Sequence, residues 1–313
     1  MRAGVVISVL GSAAIWSQGA SAANVVLAEP CKNGSLLQQH VLDQQYRAGD
    51  FRIFYANSGP DALLNTDDSN HNKVPDSIEN IAIQLAAARY FYSTILGLRF
   101  PLKQPIFHNA RQVNVYVMAL EKGHGSAFDK VANDTMGDGQ RTGCGIKIVI
   151  NRTLDPLQNV TPAHELFHLY QYGYAVFKQK WYLEGMARWM ENPFKPSAQN
   201  TRYLADPGPC QNNYPLSYQA ADFWASYSQN YFPAARFDKK AEHWQYLNGN
   251  PVFHNNIFPG GRFLKPFFEQ LAIASQQQSA QINTANIYWR EQQQRAAQYN
   301  DVICAVVQAV KPR

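Results

Sequence analysis

The sequence predicts an α+β fold, with a small mixed sheet early in the chain and a mainly helical lobe at its end. Three observations carry this. Strand-like alternation is confined to the first half, three- and four-residue apolar spacing dominates the second, and no internal repeat joins them. FRIFYANSGP (51–60) alternates and ends at a Gly-Pro break, so it reads as a strand and turn. Ile78, Ile81, Leu85, Ala88, Tyr92 and Ile95 then recur at helical spacing, and Gly97 is placed to stop that helix. QVNVYVMAL (112–120) and GIKIVIN (145–151) read as strands, the second setting Ile146, Ile148 and Ile150 against Lys147 and Val149. GDG at 137–139 reads as a turn. In TPAHELFHLYQYGY, Thr161 is placed to cap a helix, Pro162 suits its first turn, and Gly173 is placed to end it. YLEGMARWMEN (182–192) reads as a short helix halted before Pro193. SYQAADFWASYSQNYF (217–232), RFLKPFFEQLAIA (262–274) and a Gln-rich run to about 299 complete the helical part.

Residues 1–22 have the form of a signal peptide: a basic start, the apolar run VVISVLGSAAIW, and the small-residue site ASA at 20–22. That run is too short to span a bilayer comfortably. Export to the periplasm or beyond is expected, with no membrane attachment after cleavage. The remaining chain divides into an α/β lobe over 23–175 and a helical lobe over 176–313. A hydrophobic content of 46% and an aromatic content of 13% suit a packed globule. The net charge of +5 forms no basic run, so nucleic acid is not an expected partner. Cys31, Cys144, Cys210 and Cys304 form no CxxC pair, which points to two disulfides in an oxidising compartment. Of the three possible pairings, Cys31–Cys304 with Cys144–Cys210 is the favoured expectation, because it ties the termini.

The chemistry concentrates in HELFH (164–168). On a helix, residues four apart share a face, so His164 and His168 can aim both imidazoles at one ion. Glu165 lies too close in sequence to join them easily as a ligand. It can instead reach water at an open coordination position and act as general base. A catalytic zinc then lacks one protein ligand, and Glu184, sixteen residues after His168, can supply it. Gly185 beside it would permit a close helix–helix approach. Glu191, seven residues further on, can orient a ligating histidine, or be a solvated acid at a helix end. A donor for the developing oxyanion is sought among Tyr214, Tyr218, Tyr246 and His243, which serve equally well as packing residues.

HELFH followed by WYLEGMA resembles the gluzincin metallopeptidases, in which HExxH and a downstream Glu within W-x-x-E-G-x-A bind zinc. Position by position, the resemblance implies His164, His168 and Glu184 as zinc ligands and Glu165 as base. It implies a zincin-like fold, with the cleft between an α/β lobe and a helical lobe and an edge strand over the site. GIKIVIN is the candidate for that strand, where an extended substrate would bind by strand addition. The spacing from His168 to Glu184 is shorter than in the aminopeptidase branch, so that branch's exopeptidase specificity is not implied. FRIFYANSGPDA, DDSNHNKVPDSIENIA, HELFHLYQ and EGMA together are similar to secreted bacterial metalloproteases over residues 51–230.

DDSNHNKVPDSIE places oxygen side chains at positions one, three, five, nine and twelve: Asp68, Asn70, Asn72, Asp76 and Glu79. This is the ligand spacing of an EF-hand-type calcium loop, though Lys73 holds the position where glycine is usual. The same acids fit a capping arrangement of Asp76 with Glu79. A structural calcium ion is therefore expected beside the zinc. The function expected is secreted, zinc-dependent hydrolysis of peptide bonds in a protein or peptide substrate. Two alternatives stand: an exported surface protein that binds metal without catalysis, and a zinc hydrolase acting on a non-peptide amide or ester.

Overall fold

The computed structural model describes residues 26–310, so the signal peptide and cleavage point expected within 1–22 lie outside the described residues. The architecture is mixed α and β, consistent with the predicted α+β class. Strands β1 (Lys32–Gly34), β2 (Gln44–Ala48), β3 (Phe51–Tyr55), β4 (Gln112–Met118), β5 (Gly125–Asp134) and β6 (Gly145–Asn151) form one sheet in the order β1-β5-β6-β4-β3-β2. β3, β4 and β6 run parallel, while β5 lies antiparallel to β6 and β2 antiparallel to β3. Helix α1 (Asp76–Arg89) lies between β3 and β4 in the chain; α2 (Thr161–Tyr174), α3 (Lys180–Met190), α4 (Ala221–Tyr231), α5 (Leu264–Gln281), α6 (Glu291–Gln294) and α7 (Tyr299–Ala309) come after β6, and a two-residue pair joins β7 (Ala235–Arg236) to β8 (Ile257–Phe258).

Strand alternation decides which side of the sheet the helices occupy. Ile53, Val115, Ile146, Ile148 and Ile150 belong to the same core as Ile78, Leu85, Leu166 and Phe167, so α1 and α2 cover that face. Phe54, Tyr116, Met118 and Val149 point to the other face, where Leu37, Leu42 and Met136 cover them. Lys147 also points that way and is buried, its ammonium 3.1 Å from Asp134. The main core continues without a break into the later helices, through Trp181, Trp224, Phe267 and Ile303.

Several expectations need correction. GIKIVIN is not an edge strand: β6 lies between β5 and β4, and six of its seven residues are buried. The strand beside α2 is β5, which β1 pairs only at Ala132–Asp134 and which the sequence conceals. Its register shifts between Phe128 and Ala132, and this bulge breaks the period-two pattern that would reveal it. Thr161 does not cap α2. It is the first helical residue, the cap position is Val160 with no side-chain cap, and Asn159 just before it closes an Asx turn, its Oδ1 accepting from the Thr161 N–H at 2.9 Å and hydroxyl at 2.7 Å. Gly173 does not end α2 either. It lies inside the helix where an added Cβ would come within 2.8 Å of Gln104, so its role is close packing. Asp76 and Glu79 form no capping box; Asp76 is the first residue of α1 and accepts instead from the Ser69 N–H at 3.0 Å.

The disulfides also pair differently from the expectation. Cys31 bonds Cys144 and Cys210 bonds Cys304, each with Cα atoms 5.8 Å apart. The loop 105–111 holds both segments: the Glu29 N–H bonds the Ile106 carbonyl at 2.7 Å, the Asn109 amide bonds the Glu29 carbonyl at 3.0 Å, and the Arg111 N–H bonds the Cys144 carbonyl at 3.0 Å. Cys210 meets α7 instead, so the chain's ends are tied to their own neighbourhoods rather than to each other.

Non-reducing peptide mapping should recover these two linkages and no peptide joining Cys31 to Cys304. Replacing Cys31 and Cys144 together by serine should lower unfolding free energy by about 2–5 kcal/mol in denaturant titration, because the bond closes a long loop.

Candidate metal centre

Burial makes α2 the central helix. Leu166, Phe167, Leu169 and Tyr170 are fully enclosed, so most of its circumference is committed to packing. His164, Glu165, His168 and Gln171 share the remaining stripe, at three- and four-residue steps, and all four are buried as well. α3 crosses this stripe and contributes Glu184. Gly185 is required there, but the neighbour it admits is the turn Tyr218–Ala220 rather than α2. A Cβ on it would lie 2.7 Å from the Ala220 Cβ and 3.1 Å from the Ser217 carbonyl oxygen. β5 closes the third side: a Cβ on Gly125 would lie 2.6 Å from Thr161 and 3.0 Å from the Glu165 Cγ.

The three expected ligands come together. His164 Nε2 and His168 Nε2 are 3.1 Å apart, and Glu184 Oε2 lies 3.4 Å from the first and 3.5 Å from the second. Two donors bound at about 2.0–2.1 Å to a tetrahedral ion sit roughly 3.3 Å from each other, which is the spacing found here. Among the described residues, this is the one group of three or more His, Cys, Asp or Glu side chains gathered closely enough to hold a metal ion.

Hydrogen bonding fixes which nitrogens are free. His164 Nδ1 is 2.8 Å from Glu191 Oε1, a carboxylate that only accepts, so the ring carries its proton there. His168 Nδ1 is 2.7 Å from Gln171 Oε1. The Gln171 amide nitrogen is already committed to the carbonyls of Tyr182 and Leu183, at 3.1 Å each, which settles which end is oxygen. Both histidines are thereby donors at Nδ1 and lone-pair acceptors at Nε2. Three such atoms then converge on one point, an arrangement that a cation between them would satisfy. The donor set fits a divalent metal.

The electrostatics agree. Burial alone would push the His164 imidazole down, but the Glu184 and Glu191 carboxylates carry it up to about 10. Burial opposes ionisation of Glu184 too, yet the two imidazoles hold its carboxyl well below the usual range. Burial raises the Glu165 carboxyl, against the pull of His168 and His164. Positive charge is favoured at the point of convergence.

Glu191 is the orienting carboxylate, not a solvated helix-end acid; it is buried, and its second oxygen bonds the Arg188 guanidinium at 2.6 Å and the Lys195 ammonium. Of the four proposed oxyanion donors, Tyr218 alone faces the site. Its ring centroid lies 5.9 Å from that of His164, and burial together with the Glu184 charge raises its phenol. Tyr214 bonds Asp301 at 2.7 Å, Tyr246 bonds Gln84 at 2.8 Å, and His243 is exposed elsewhere. Gln171 escaped the sequence reading, although its step of three from His168 and seven from His164 marks the same stripe. The cleft above the site has a volume of about 440 Å³ and is lined by Gly125, His164, Glu165, Arg188, Lys195 and Tyr218 among others. A smaller cavity of about 200 Å³ beside Tyr172 and Tyr174 touches none of the three ligands.

Of the expected calcium ligands, Asp68, Asn70 and Asn72 lie in one loop, with left-handed backbone at His71 and Lys73, and Asp76 and Glu79 lie in the first turn of α1. Asp68 accepts from the N–H groups of Asn72 and Lys73, at 3.1 and 2.8 Å. Glu79 accepts from the side-chain amides of Asn70 and Asn72, at 2.9 Å each. A calcium ion there would need both amides turned to present oxygen rather than nitrogen.

No family model matches the chain, and no curated protein or solved structure does.

Replacing Glu191 or Gln171 by alanine should weaken metal binding about 10- to 100-fold, because each fixes the proton on one ligating ring. Competition with a chromogenic chelator would measure this, and unchanged affinity in both variants would count against the orienting roles.

Proposed function

We propose that the chain is an exported zinc-dependent peptidase of the gluzincin kind, built on a zincin-like fold. The observation that carries this reading is the convergence of two Nε2 atoms and one carboxylate oxygen within 3.1–3.5 Å, each ring turned by a partner at Nδ1. Nitrogen and oxygen donors in a two-His, one-Glu set suit zinc. When bound, the zinc would supply Lewis-acid polarisation of the scissile carbonyl and acidify the attacking water.

The chain's own residues have distinct parts. Glu165, held against Gly125 of β5, takes the proton from the attacking water and returns it to the departing amine nitrogen. Tyr218 donates its hydroxyl proton in a hydrogen bond to the oxygen on which charge develops. β1 pairs only with Ala132–Asp134 of β5, so the stretch from Gly125 has no strand partner on that side among the described residues. An extended peptide can add to that edge by backbone hydrogen bonds, which supports a peptide over a compact amide or ester. Two disulfides support an oxidising location. No helix among the described residues is long and apolar enough to cross a membrane.

Glu165→Gln should abolish hydrolysis of casein or a peptide library while bound zinc stays near one per chain. Full activity in that variant would end the assignment. Tyr218→Phe should lower kcat about 10²- to 10³-fold with little change in KM. Gly185→Ala should follow it in direction, since the added methyl displaces the turn carrying Tyr218 without touching a ligand. Steady-state kinetics beside metal analysis would separate these effects from loss of zinc.

A further inference from the structure

We infer that Arg188 and Lys195 form a carboxylate-binding subsite beside the metal centre, so that the cleft selects peptides carrying an anionic group close to the scissile bond. This deepens the peptidase reading and rests on it for the identity of the ligand as a peptide.

Arg188 lies one helical turn after Glu184 on α3, and so shares its face toward the cleft. Its Nη1 bonds Glu191 Oε2 at 2.6 Å, and the Lys195 ammonium bonds the same oxygen. The other oxygen of Glu191 is taken by His164. One carboxylate therefore answers two full cations and a ring N–H. Both cations lie on the α3 side of the cleft and share one carboxylate, which makes that side locally positive, while Glu165 on the other side balances the lining overall.

That charge has donors to spare. A guanidinium offers five N–H groups and an ammonium three, yet each spends one on Glu191 and makes no other hydrogen bond among the described residues. The Arg188 side chain is 44% exposed, so its free edge opens to the cleft, whereas Lys195 is mostly buried at 12%. A planar fork beside a point charge matches a carboxylate, which can accept from both at once. Besides Glu191, the cleft lining holds a single other acid, Glu165, and its mouth carries the neutral amides of Gln158, Asn159 and Gln199. An arriving carboxylate meets little repulsion. Glu191 also sets the distance, because the same group bonds the ligand His164 and the cation Arg188. At about 3.5 Å of chain per residue, this bonded path keeps the anion within about three residues of the bond being cut. It could be a C-terminal carboxylate or an Asp or Glu side chain, and the recognition chemistry is the same.

The test is calorimetric binding to the full chain stripped of metal, so that a peptide carboxylate cannot simply ligate the ion. Four versions of one short acetylated peptide serve as probes: free acid, C-terminal amide, amide with an internal Gln, and amide with an internal Glu. The free acid or the Glu peptide should bind about tenfold or more tighter than its neutral counterpart, and which one does identifies the source of the anion. Arg188→Gln and Lys195→Gln should each erase that gap while the neutral amide binds within about twofold of its wild-type affinity. Equal binding of all four peptides to the wild-type chain overturns the inference, as does a gap that survives Arg188→Gln. The wild-type comparison decides alone if either variant misfolds. Anionic peptides that are bound with preference but never cut by the zinc-loaded chain would remove the peptidase reading and leave the subsite standing.

Discussion

Three lone pairs aimed at one point are costly to assemble in a protein interior unless something positive lies between them. His164, His168 and Glu184 are in that position, and the fold around them is arranged to keep them there. Each ring is held by its far nitrogen, His164 by Glu191 and His168 by Gln171, so neither can turn away and relieve the crowding. Gln171 does a second thing: its amide nitrogen grips the carbonyls of Tyr182 and Leu183, the residues just before Glu184. One side chain thus orients a ligand on α2 and fixes the backbone that delivers the ligand on α3. Relaxation of any one donor is opposed by the packing of the other two elements.

The hydrophobic core supplies the rigidity this needs. α2 is enclosed by the sheet on one side and by α1, α3 and α5 on others, so its polar stripe is the part left for chemistry. Two glycines then let neighbours come within contact of that stripe. Gly125 allows the start of β5 to lie against Glu165, and Gly185 allows the turn bearing Tyr218 to lie against α3. Glu165 and the two histidines on α2, Glu184 on α3 and Tyr218 on the turn beyond it are therefore brought together at a spacing set by the absence of two methyl groups. The Arg188–Glu191–Lys195 cluster extends the same logic outward, linking the orientation of His164 to the charge of the cleft wall.

Much of this was legible in the chain because it is local. The four-residue step from His164 to His168 and the helical spacing from Ile78 to Ile95 survive in the sequence as periodicity. Glu184 was found because its own surroundings repeat a recognisable pattern. What was missed depends on contacts between distant segments. The Cys31–Cys144 pairing follows from the loop 105–111, which bonds both Glu29 and Cys144 and which no residue pattern announces. β5 itself is hidden by its bulge. Its neighbour β6 stood as the candidate edge strand because it alternates as a strand and the resemblance implies an edge strand over the site, although alternation of Ile with Lys147 ordinarily signals only one wet face. Here that lysine is buried on Asp134 beneath a second, smaller core. Thr161 and Asp76 carry good capping chemistry, but in the folded chain Asn159 bonds Thr161, the Asp76 carboxylate accepts from Ser69, and neither helix has a side-chain cap.

The claim on which the rest stands is that a divalent ion occupies the point shared by the three donors. X-ray absorption at the zinc edge of the purified chain examines that point directly. Two imidazole nitrogens with a carboxylate oxygen, all at about 2.0–2.1 Å, is the expected first shell. A spectrum of zinc surrounded only by oxygen, or the same imidazole signature persisting after His164 and His168 are both replaced by alanine, would contradict it.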